Sequence, residues 1–125
     1  MIVILFSLSL TLNYPCFTQE CWVYRKSNTS NQLFAVFFPD SMNGAVVGRN
    51  GTILRTSNGG STWSTKSSSH PSALLSDVEF SDGNNGIIVG GEDDTSGFSH
   101  GIILRTTDGG NNWTSQTVTR ALLAV

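Results

Sequence analysis

Residues 38–63 have the sequence FPDSMNGAVVGRNGTILRTSNGGSTW, and residues 80–113 have a similar sequence, FSDGNNGIIVGGEDDTSGFSHGIILRTTDGGNNW. The two stretches align in two blocks, and 14 of the 24 paired positions are identical. Composition alone gives roughly one or two identities over such a length. The chain therefore contains two copies of one structural unit, and the second copy carries an insertion of eight residues between its blocks.

Each copy consists of short apolar or polar runs cut by glycine, asparagine and aspartate, which is typical of strands joined by tight turns. A repeat of about 40 residues with this content indicates a β-propeller or a similar array. We therefore predict an all-β fold made of β-propeller blades, each a four-stranded antiparallel sheet, with about two blades of an incomplete propeller. The predicted strands are 33–38, 45–48, 52–56 and 63–67 in the first unit, and 75–80, 87–90, 102–106 and 113–117 in the second.

The N-terminal run MIVILFSLSLTL is too short to span a bilayer and lies where the hydrophobic core of a secretory signal is found. A buried strand or a membrane anchor is the alternative interpretation. The predicted order is a signal peptide at 1–18, the tail strand of a preceding blade at 19–32, repeat 1 at 33–74, repeat 2 at 75–121 and the start of a third repeat at 122–125. We expect an exported protein, whether secreted or periplasmic.

The last four residues, LLAV, match the openings of both units, so the sequence stops inside a predicted strand. A repeat unit of this kind does not bury its faces alone. We therefore expect further propeller blades, supplied by a longer chain or by an oligomer.

The charge balance excludes some classes of partner. Seven basic residues stand against nine acidic ones, so the chain has no basic footprint for a nucleic-acid backbone. Cys16 and Cys21 form no CxxC or Cys/His cluster, so no metal site and no disulfide framework is predicted. No cofactor is expected, and no membrane span is expected in the mature chain.

Both units contain a box of threonine, asparagine or aspartate, two glycines and tryptophan, in which the polar side chains are suited to hydrogen-bond the turn backbone and the glycines to adopt positive φ. A phosphate-cradling loop is the alternative, but neither GxGxxG nor GxxxxGK[ST] occurs. The residues of the box are Thr56, Asn58, Gly59, Gly60 and Trp63 in the first unit, and Thr106, Asp108, Gly109, Gly110 and Trp113 in the second.

The box resembles the Asp-box, or BNR repeat, of sialidases and other secreted propellers. The longer phrase, from the opening phenylalanine to the closing tryptophan, is similar to the repeats of photosystem II assembly and stability factors. This resemblance covers residues 33–118 and implies a propeller in which the box is a structural turn. Asn58 stands where the acidic residue is expected, and Asn112 stands where serine or threonine is usual.

The insertion is the largest difference between the units and lies in the loop between the second and third strands of repeat 2. Strand alternation places this loop on the same rim as the connector between blades, opposite the box. Its carboxylates could bind a hard cation, and Phe98 or His100 could contact a ligand. A solvated loop is the alternative. The candidate binding residues here are Glu92, Asp93, Asp94, Phe98 and His100.

Arg55 and Arg105 occupy the same place on the third strand of each unit. They are candidates for a basic stripe that meets an acidic protein, or each pairs with a nearby carboxylate or carbonyl. Asp77 and Glu79 share one face of an inner strand, where the first unit has Ala35 and Phe37. This carboxylate pair is suited either to acid/base chemistry or to hydration of a channel.

No catalytic residues are assigned, because no nucleophile is identifiable beside a base. A sialidase, by resemblance, needs three arginines, a tyrosine nucleophile and acidic partners, and Tyr24 is the only tyrosine outside the predicted signal. We predict a non-catalytic secreted or lumenal propeller with a protein partner, in a binding or scaffold role like that of photosystem II assembly factors. The alternatives are a fragment of a sialidase-like glycoside hydrolase and a cell-surface adhesive repeat protein.

Overall fold

The computed structural model describes residues 2–5, 22–93, 95–97 and 99–118. These residues form ten β-strands and no helix, so none of them belongs to a helix that could cross a membrane. The predicted Asp94 and Phe98 sites, both cysteines and the predicted third repeat at 122–125 lie outside the described residues.

The first unit forms one antiparallel sheet in the order β3-β4-β5-β6. A register shift between Leu33 and Ala35 marks an irregularity in the pairing of the first two strands. Gly48 lies where this strand passes the chain before Leu33, because a Cβ there would be 2.0 Å from the carbonyl oxygen of Gln32. The strands are β3 (Leu33–Phe37), β4 (Gly44–Gly48), β5 (Ile53–Thr56) and β6 (Ser64–Lys66).

The second unit forms a sister sheet in the order β10-β9-β8-β7, so the two units have the same strand connectivity. The predicted pair of four-stranded antiparallel blades is confirmed. The insertion extends a hairpin rather than forming an irregular loop, because Glu92 pairs with His100 and Asp93 with Ser99. The strands are β7 (Leu74–Phe80), β8 (Gly86–Asp93), β9 (Ser99–Thr106) and β10 (Thr114–Val118).

A separate two-stranded antiparallel sheet joins β1 (Ile2–Leu5) to β2 (Trp22–Arg25). Its first strand falls within the predicted signal peptide, and its second within the predicted tail strand of a preceding blade. The rest of the predicted signal, residues 6–18, lies outside the described residues. Both assignments remain predictions.

The main core lies between the two four-stranded sheets. The first sheet contributes one face, called here the covered face, and the residues on it are Ala35, Phe37, Ala45, Val47, Ile53 and Arg55. The second sheet contributes Ala73 before β7 and, from its strands, Leu75, Val78, Phe80, Ile88, Ile102 and Leu104. Alternating side chains, together with the register shift between Leu75 and Asp77, put these residues on one face of each sheet, so the sheets stack face to face.

The opposite face of the second sheet, called here the outer face, is not covered by another sheet among the described residues. Pairing across the strands aligns Glu79, Ile87 and Arg105 in one row. Ile87 and Val89 are each 39% exposed, whereas Ile88 between them is fully buried. The residues of the outer face are Asp77, Glu79, Ile87, Val89, Ile103 and Arg105.

Loops of each sheet lie on two opposite rims, as predicted. On one rim, the glycine turn contacts the turn between the first two strands, since the N–H of Gly59 donates to the carbonyl of Met42 at 2.8 Å. The N–H of Gly109 donates to the carbonyl of Asn84 at 2.9 Å in the same way. On the other rim, the loop between the second and third strands meets the connector between blades.

Candidate functional site

The first glycine turn is built around a threonine hydroxyl. Thr56 Oγ1 accepts a hydrogen bond from the N–H of Gly60 and donates one to Asn58 Oδ1, both at 2.9 Å. Asn58 Oδ1 also accepts from the N–H of Thr62 at 2.9 Å. Gly59 and Gly60 have φ values of 66° and 84°, in the region that favours glycine. The Thr56 and Asn58 side chains of this turn therefore accept hydrogen bonds from its own backbone N–H groups.

The second glycine turn has the same geometry with a carboxylate in place of the amide. Thr106 Oγ1 accepts from the N–H of Gly110 at 2.9 Å and donates to Asp108 Oδ1 at 2.8 Å. Asn112 donates its N–H to Asp108 Oδ1 at 2.9 Å and its side-chain amide to Oδ2 at 2.8 Å. These bonds, first the backbone N–H of Asn112, then its side chain and Thr106, lower the pKa of Asp108 to about 2.

A tryptophan follows each glycine turn and packs edge-on against the phenylalanine that opens the unit. Trp63 and Phe38 have ring centroids 6.0 Å apart, and so do Trp113 and Phe80. Such edge-to-face pairs are favourable for aromatic rings. Each turn is thus anchored to the core of its sheet by its tryptophan, while polar residues of the turn such as Asp108 stay exposed.

Arg55 joins the two units. Its Nε donates to the carbonyl oxygen of Gly109 at 2.7 Å, and its Nη2 donates to Asn43 Oδ1 at 3.3 Å. The side chain is half-buried, and a Cβ on Gly110 would lie 3.8 Å from Arg55 Cδ. Arg55 therefore holds the glycine turn of the second unit against the first sheet, which is the carbonyl contact that the packing alternative predicts.

Arg105 stands at the same place in the second unit and is exposed. It borders an open groove of about 440 Å³ beside the outer face, which is also lined by Glu79 and by Asn85, the counterpart of Asn43. No ion pair between Arg105 and Glu79 is formed within 4 Å among the described residues. The two arginines thus have different surroundings although their sequence context is the same.

The extended β8–β9 hairpin brings the predicted rim residues Glu92, Asp93 and His100 together. Glu92 pairs across the hairpin with His100, and Ser99 Oγ donates to Asp93 Oδ1 at 2.7 Å. Asp93 and Ser99 are exposed, and Glu92 and His100 are half-buried. The hairpin therefore places two carboxylates on this rim, where the exposed Arg49 lines the same groove as Glu92 and Asp93. No group of three metal-ligating side chains occurs among the described residues.

The hairpin is tied to the connector between the blades. His70 Nδ1 lies 2.9 Å from Glu92 Oε2, and Ser72 Oγ donates to Glu92 Oε1. These contacts, first Ser72 and then His70, lower the pKa of Glu92. The contact confirms that the hairpin and the connector share a rim, opposite the glycine turns.

The Ser72, Glu92 and His70 cluster does not have the arrangement of a hydrolase triad. The carboxylate lies between the hydroxyl and the imidazole, so the described contacts give Ser72 no imidazole base to activate it. The predicted Asp77 and Glu79 pair lies on the outer face of the second sheet. Tyr24 is 65% exposed. These contacts pack elements of the chain against one another and place no nucleophile beside a base.

Several residues that organise the site were not singled out as sites from the sequence. Asp40 and Asp82 each accept hydrogen bonds from an asparagine three residues on, Asn43 and Asn85. These bonds, the side-chain amide first, lower the pKa of both aspartates. The signal was available, because the aspartate and the asparagine are identical in the aligned units. The contact of His70 with Glu92 could not be predicted from the sequence, because the two residues are 22 positions apart.

Comparisons with known proteins agree with this geometry. A family model described as Photosynthesis system II assembly factor YCF48 matches residues 14–123. A solved structure of YCF48 bound to D1 peptide is 31% identical with a TM-score of 0.58, over 70% of this chain and 27% of that one. YCF48 from Cyanidioschyzon merolae is 27% identical with a TM-score of 0.60, over 76% of this chain and 29% of that one.

The chain thus spans less than a third of the length of either of these structures. No curated protein sequence shows significant similarity to it.

Proposed function

The chain belongs to the family of photosynthesis system II assembly factor YCF48, and we propose that it acts as a non-catalytic, protein-binding propeller segment in the assembly of that complex. The observation that carries this proposal is the similarity to a YCF48 structure with a bound D1 peptide, at 31% identity over 70% of this chain. We propose a peptide segment of D1 as the partner. An exported location, of which the thylakoid lumen is one case, is part of the same proposal.

The rim with the β8–β9 hairpin is the proposed contact surface for the partner. Glu92 and Asp93 place two carboxylates there, and Asp94, Phe98 and His100 belong to the same insertion. These carboxylates attract a partner segment with positive charge and make the association sensitive to salt. The glycine turns on the other rim, with their satisfied hydrogen bonds, are proposed to be Asp-box turns with a structural role only.

The proposal of a non-catalytic role is supported by the contacts of the titratable groups. The low pKa of Asp108 follows from turn hydrogen bonds, and that of Glu92 from its contacts to Ser72 and His70. Neither carboxylate is poised as a general acid near neutral pH, because both pKa values are lowered rather than raised. A glycosidase would need one carboxyl group with a raised pKa beside a second one.

Binding of a fluorescently labelled D1 peptide to the full chain, followed by anisotropy, tests the proposal. A scrambled peptide of the same composition is the reference, and binding of the D1 peptide should be clearly stronger. The double variant E92Q/D93N should weaken it and reduce its salt dependence, because two rim charges are lost while hydrogen-bonding groups remain. The matched control D77N/E79Q removes two exposed carboxylates from the outer face and should leave the affinity unchanged.

The outcomes separate the parts of the proposal. Equal binding of the D1 and scrambled peptides would overturn the proposed function. Selective binding of the D1 peptide that E92Q/D93N and D77N/E79Q affect equally would retain the function and reject the hairpin rim as its site.

A further inference from the structure

The chain enters each four-stranded sheet through a short segment, residues 26–32 before β3 and residues 67–73 before β7, called here the first and second connectors. In each of them a buried serine donates its hydroxyl to the carbonyl two residues further on, Ser27 at 3.2 Å and Ser68 at 3.3 Å. The residue after each serine has a φ of 61°. The repeated structure therefore includes the connectors, which lie outside the aligned blocks of sequence.

Each connector is tied by side chains to the loop between the second and third strands of the sheet that follows it. Before the first sheet, Asn31 Nδ2 donates to Thr52 Oγ1 at 2.8 Å, and Asn50 Nδ2 donates to Asn31 Oδ1 at 3.0 Å. Before the second sheet, His70 Nδ1 lies 2.9 Å from Glu92 Oε2 of the β8–β9 hairpin. The same connection is thus made by neutral groups in one unit and by a carboxylate in the other.

The second connector also contacts the first unit, at the turn between β4 and β5. The N–H of Gly51 in that turn donates to the carbonyl of Ala73 at 2.7 Å. Gly51 has a φ of 60°, and a Cβ there would lie 2.1 Å from the carbonyl oxygen of His70. A groove of about 530 Å³ on this rim is lined by the turn, the connector and the hairpin together. The second connector therefore contacts loops of both units.

The part of the hairpin that contacts the connector has little else to hold it. Beyond the pair of Gly91 and Gly101, the described residues of the hairpin include no buried apolar side chain. Regions with few buried apolar contacts open locally at low cost in free energy. The side chains of His70 and Glu92 are only 16% and 23% exposed, so loss of either leaves polar atoms of the other poorly hydrated. This contact therefore anchors the extended part of the hairpin.

We propose that the second connector couples the two units along this rim. Glu92, through His70 and Ser72, holds the connector closed on the β4–β5 turn, so that hairpin order and the contact with Gly51 are lost together. His70 and Ser72 are positioning residues, since they act through the Glu92 carboxylate. Such a coupling is reciprocal, because each contact changes the free energy of the other by the same amount.

Hydrogen exchange of the Gly51 amide, followed by NMR on the full chain, tests the coupling across the units. H70A should speed this exchange about tenfold, because a hydrogen bond to a charged group is lost in the other unit. H70N should return the rate towards that of the unchanged chain, since asparagine Nδ2 is as many bonds from the backbone as histidine Nδ1. The amide of Gly59, which donates to Met42 on the opposite rim, is the internal reference and should not change.

A double-mutant comparison shows whether the effect passes through one contact. E92A alone should speed the exchange of the Gly51 amide as much as H70A does, and H70A/E92A should speed it no further. The reverse direction is tested by G51A, whose methyl group would collide with the carbonyl of His70. G51A should speed amide exchange in the extended part of the hairpin several-fold, and should have no further effect there in an E92A background. The hairpin amides of H70A give the same comparison with the turn unaltered.

The coupling gives the hairpin rim a means of regulation, and this step rests on the proposed function. H70A keeps both carboxylates, Glu92 and Asp93, but releases the first from the connector. It should therefore weaken binding of the D1 peptide several-fold without changing the salt dependence, whereas E92Q/D93N reduces that dependence. H70N should restore the affinity, which a role of His70 as a direct contact would not predict.

The results separate the coupling from the proposed function. Equal exchange of the Gly51 amide in H70A and H70N, or an equal change at Gly59, would overturn the coupling. Equal peptide affinities of H70A and H70N would overturn the regulation of the rim. If the unchanged chain does not bind the D1 peptide selectively, the proposed function and this regulation both fail, and the exchange of the Gly51 amide still decides the coupling.

Discussion

The two units have the same strand order but different surroundings, most clearly in their second strands. All five residues of β4 are buried, whereas β8 alternates, with Ile88 fully buried between Ile87 and Val89, which are both 39% exposed. Both strands are apolar on both faces, which favours a strand buried between two layers. The comparison teaches that the burial of a repeat strand depends on the sheet packed against it as well as on its own sequence, because similar apolar strands are buried on both faces in one unit and partly exposed in the other.

The strength of coupling between the units is tested first by the phenylalanines that open them. Phe80 is 6% exposed, stacks on Phe37 and meets Trp113, whereas Phe38 is half-buried and its ring contacts Trp63. We expect F80A to lower the free energy of unfolding by about 3–5 kcal/mol, the range for large aromatic truncations in a core. F38A should cost about 1–2 kcal/mol, because less area returns to water. Urea denaturation measures both.

The local environment of the two rings is otherwise matched. Each ring covers a glycine of the neighbouring strand, Gly44 or Gly86, where a Cβ would lie 2.6 or 2.7 Å from it. The excess cost of F80A should therefore come from the contact with Phe37, and it should shrink in an F37A background. Equal losses for F80A and F38A would show that the sheet interface contributes little.

The arginines give a second, smaller contrast. Arg55 donates to the carbonyl of Gly109 and to Asn43, whereas Arg105 is exposed. R55A should lower the free energy of unfolding by about 1.5–3 kcal/mol, the range for hydrogen bonds to charged groups. R105A should change it by less than about 0.5 kcal/mol, as is usual for exposed positions. R55K should not restore stability, because lysine lacks the planar fork that reaches both acceptors.

The same urea denaturation gives the comparison, with R105K as the matched control. Similar losses for R55A and R105A would mean that the contact from Arg55 to Gly109 does not hold the sheets together.

Most of the fold was predictable because the same pattern of strands and turns occurs in both units. Glycines at paired positions and the closing tryptophans located the hairpins in both units. The β8–β9 hairpin was read as a loop, because its glycines and polar residues are typical of loops, although Gly91 and Gly101 pair within the extended ladder. Periodicity describes local structure and does not reveal such cross-strand pairing.

The side-chain partners were less predictable than the strands. Both interpretations of Arg55 remained open, because its acceptor, Gly109, lies 54 residues away in the other unit. The contact between His70 and Glu92 depends equally on how the connector folds against the hairpin. Contacts of this kind depend on the packing of elements that are distant in sequence.

The glycine turns give the last and smallest contrast, because the second turn contains a titratable carboxyl group, Asp108, and the first has the neutral amide of Asn58 at the same place. The pKa of Asp108 is lowered to about 2 in the folded chain, so its ionised form stabilises the fold above the ordinary value of 3.8. That contribution is lost as the pH falls from about 4 to about 2. Asn58 makes matching bonds with a neutral amide and has no such dependence.

Urea midpoints measured between pH 6 and pH 2 resolve this difference. D108N should lose less stability than the unchanged chain between pH 4 and pH 2, since the titrating group is removed. N58D should lose more, because it places a second carboxylate among the same donors. Asp40 and Asp82 titrate alike in all three proteins and supply the common background. Three parallel curves would show that the turn bonds do not distinguish a carboxylate from an amide.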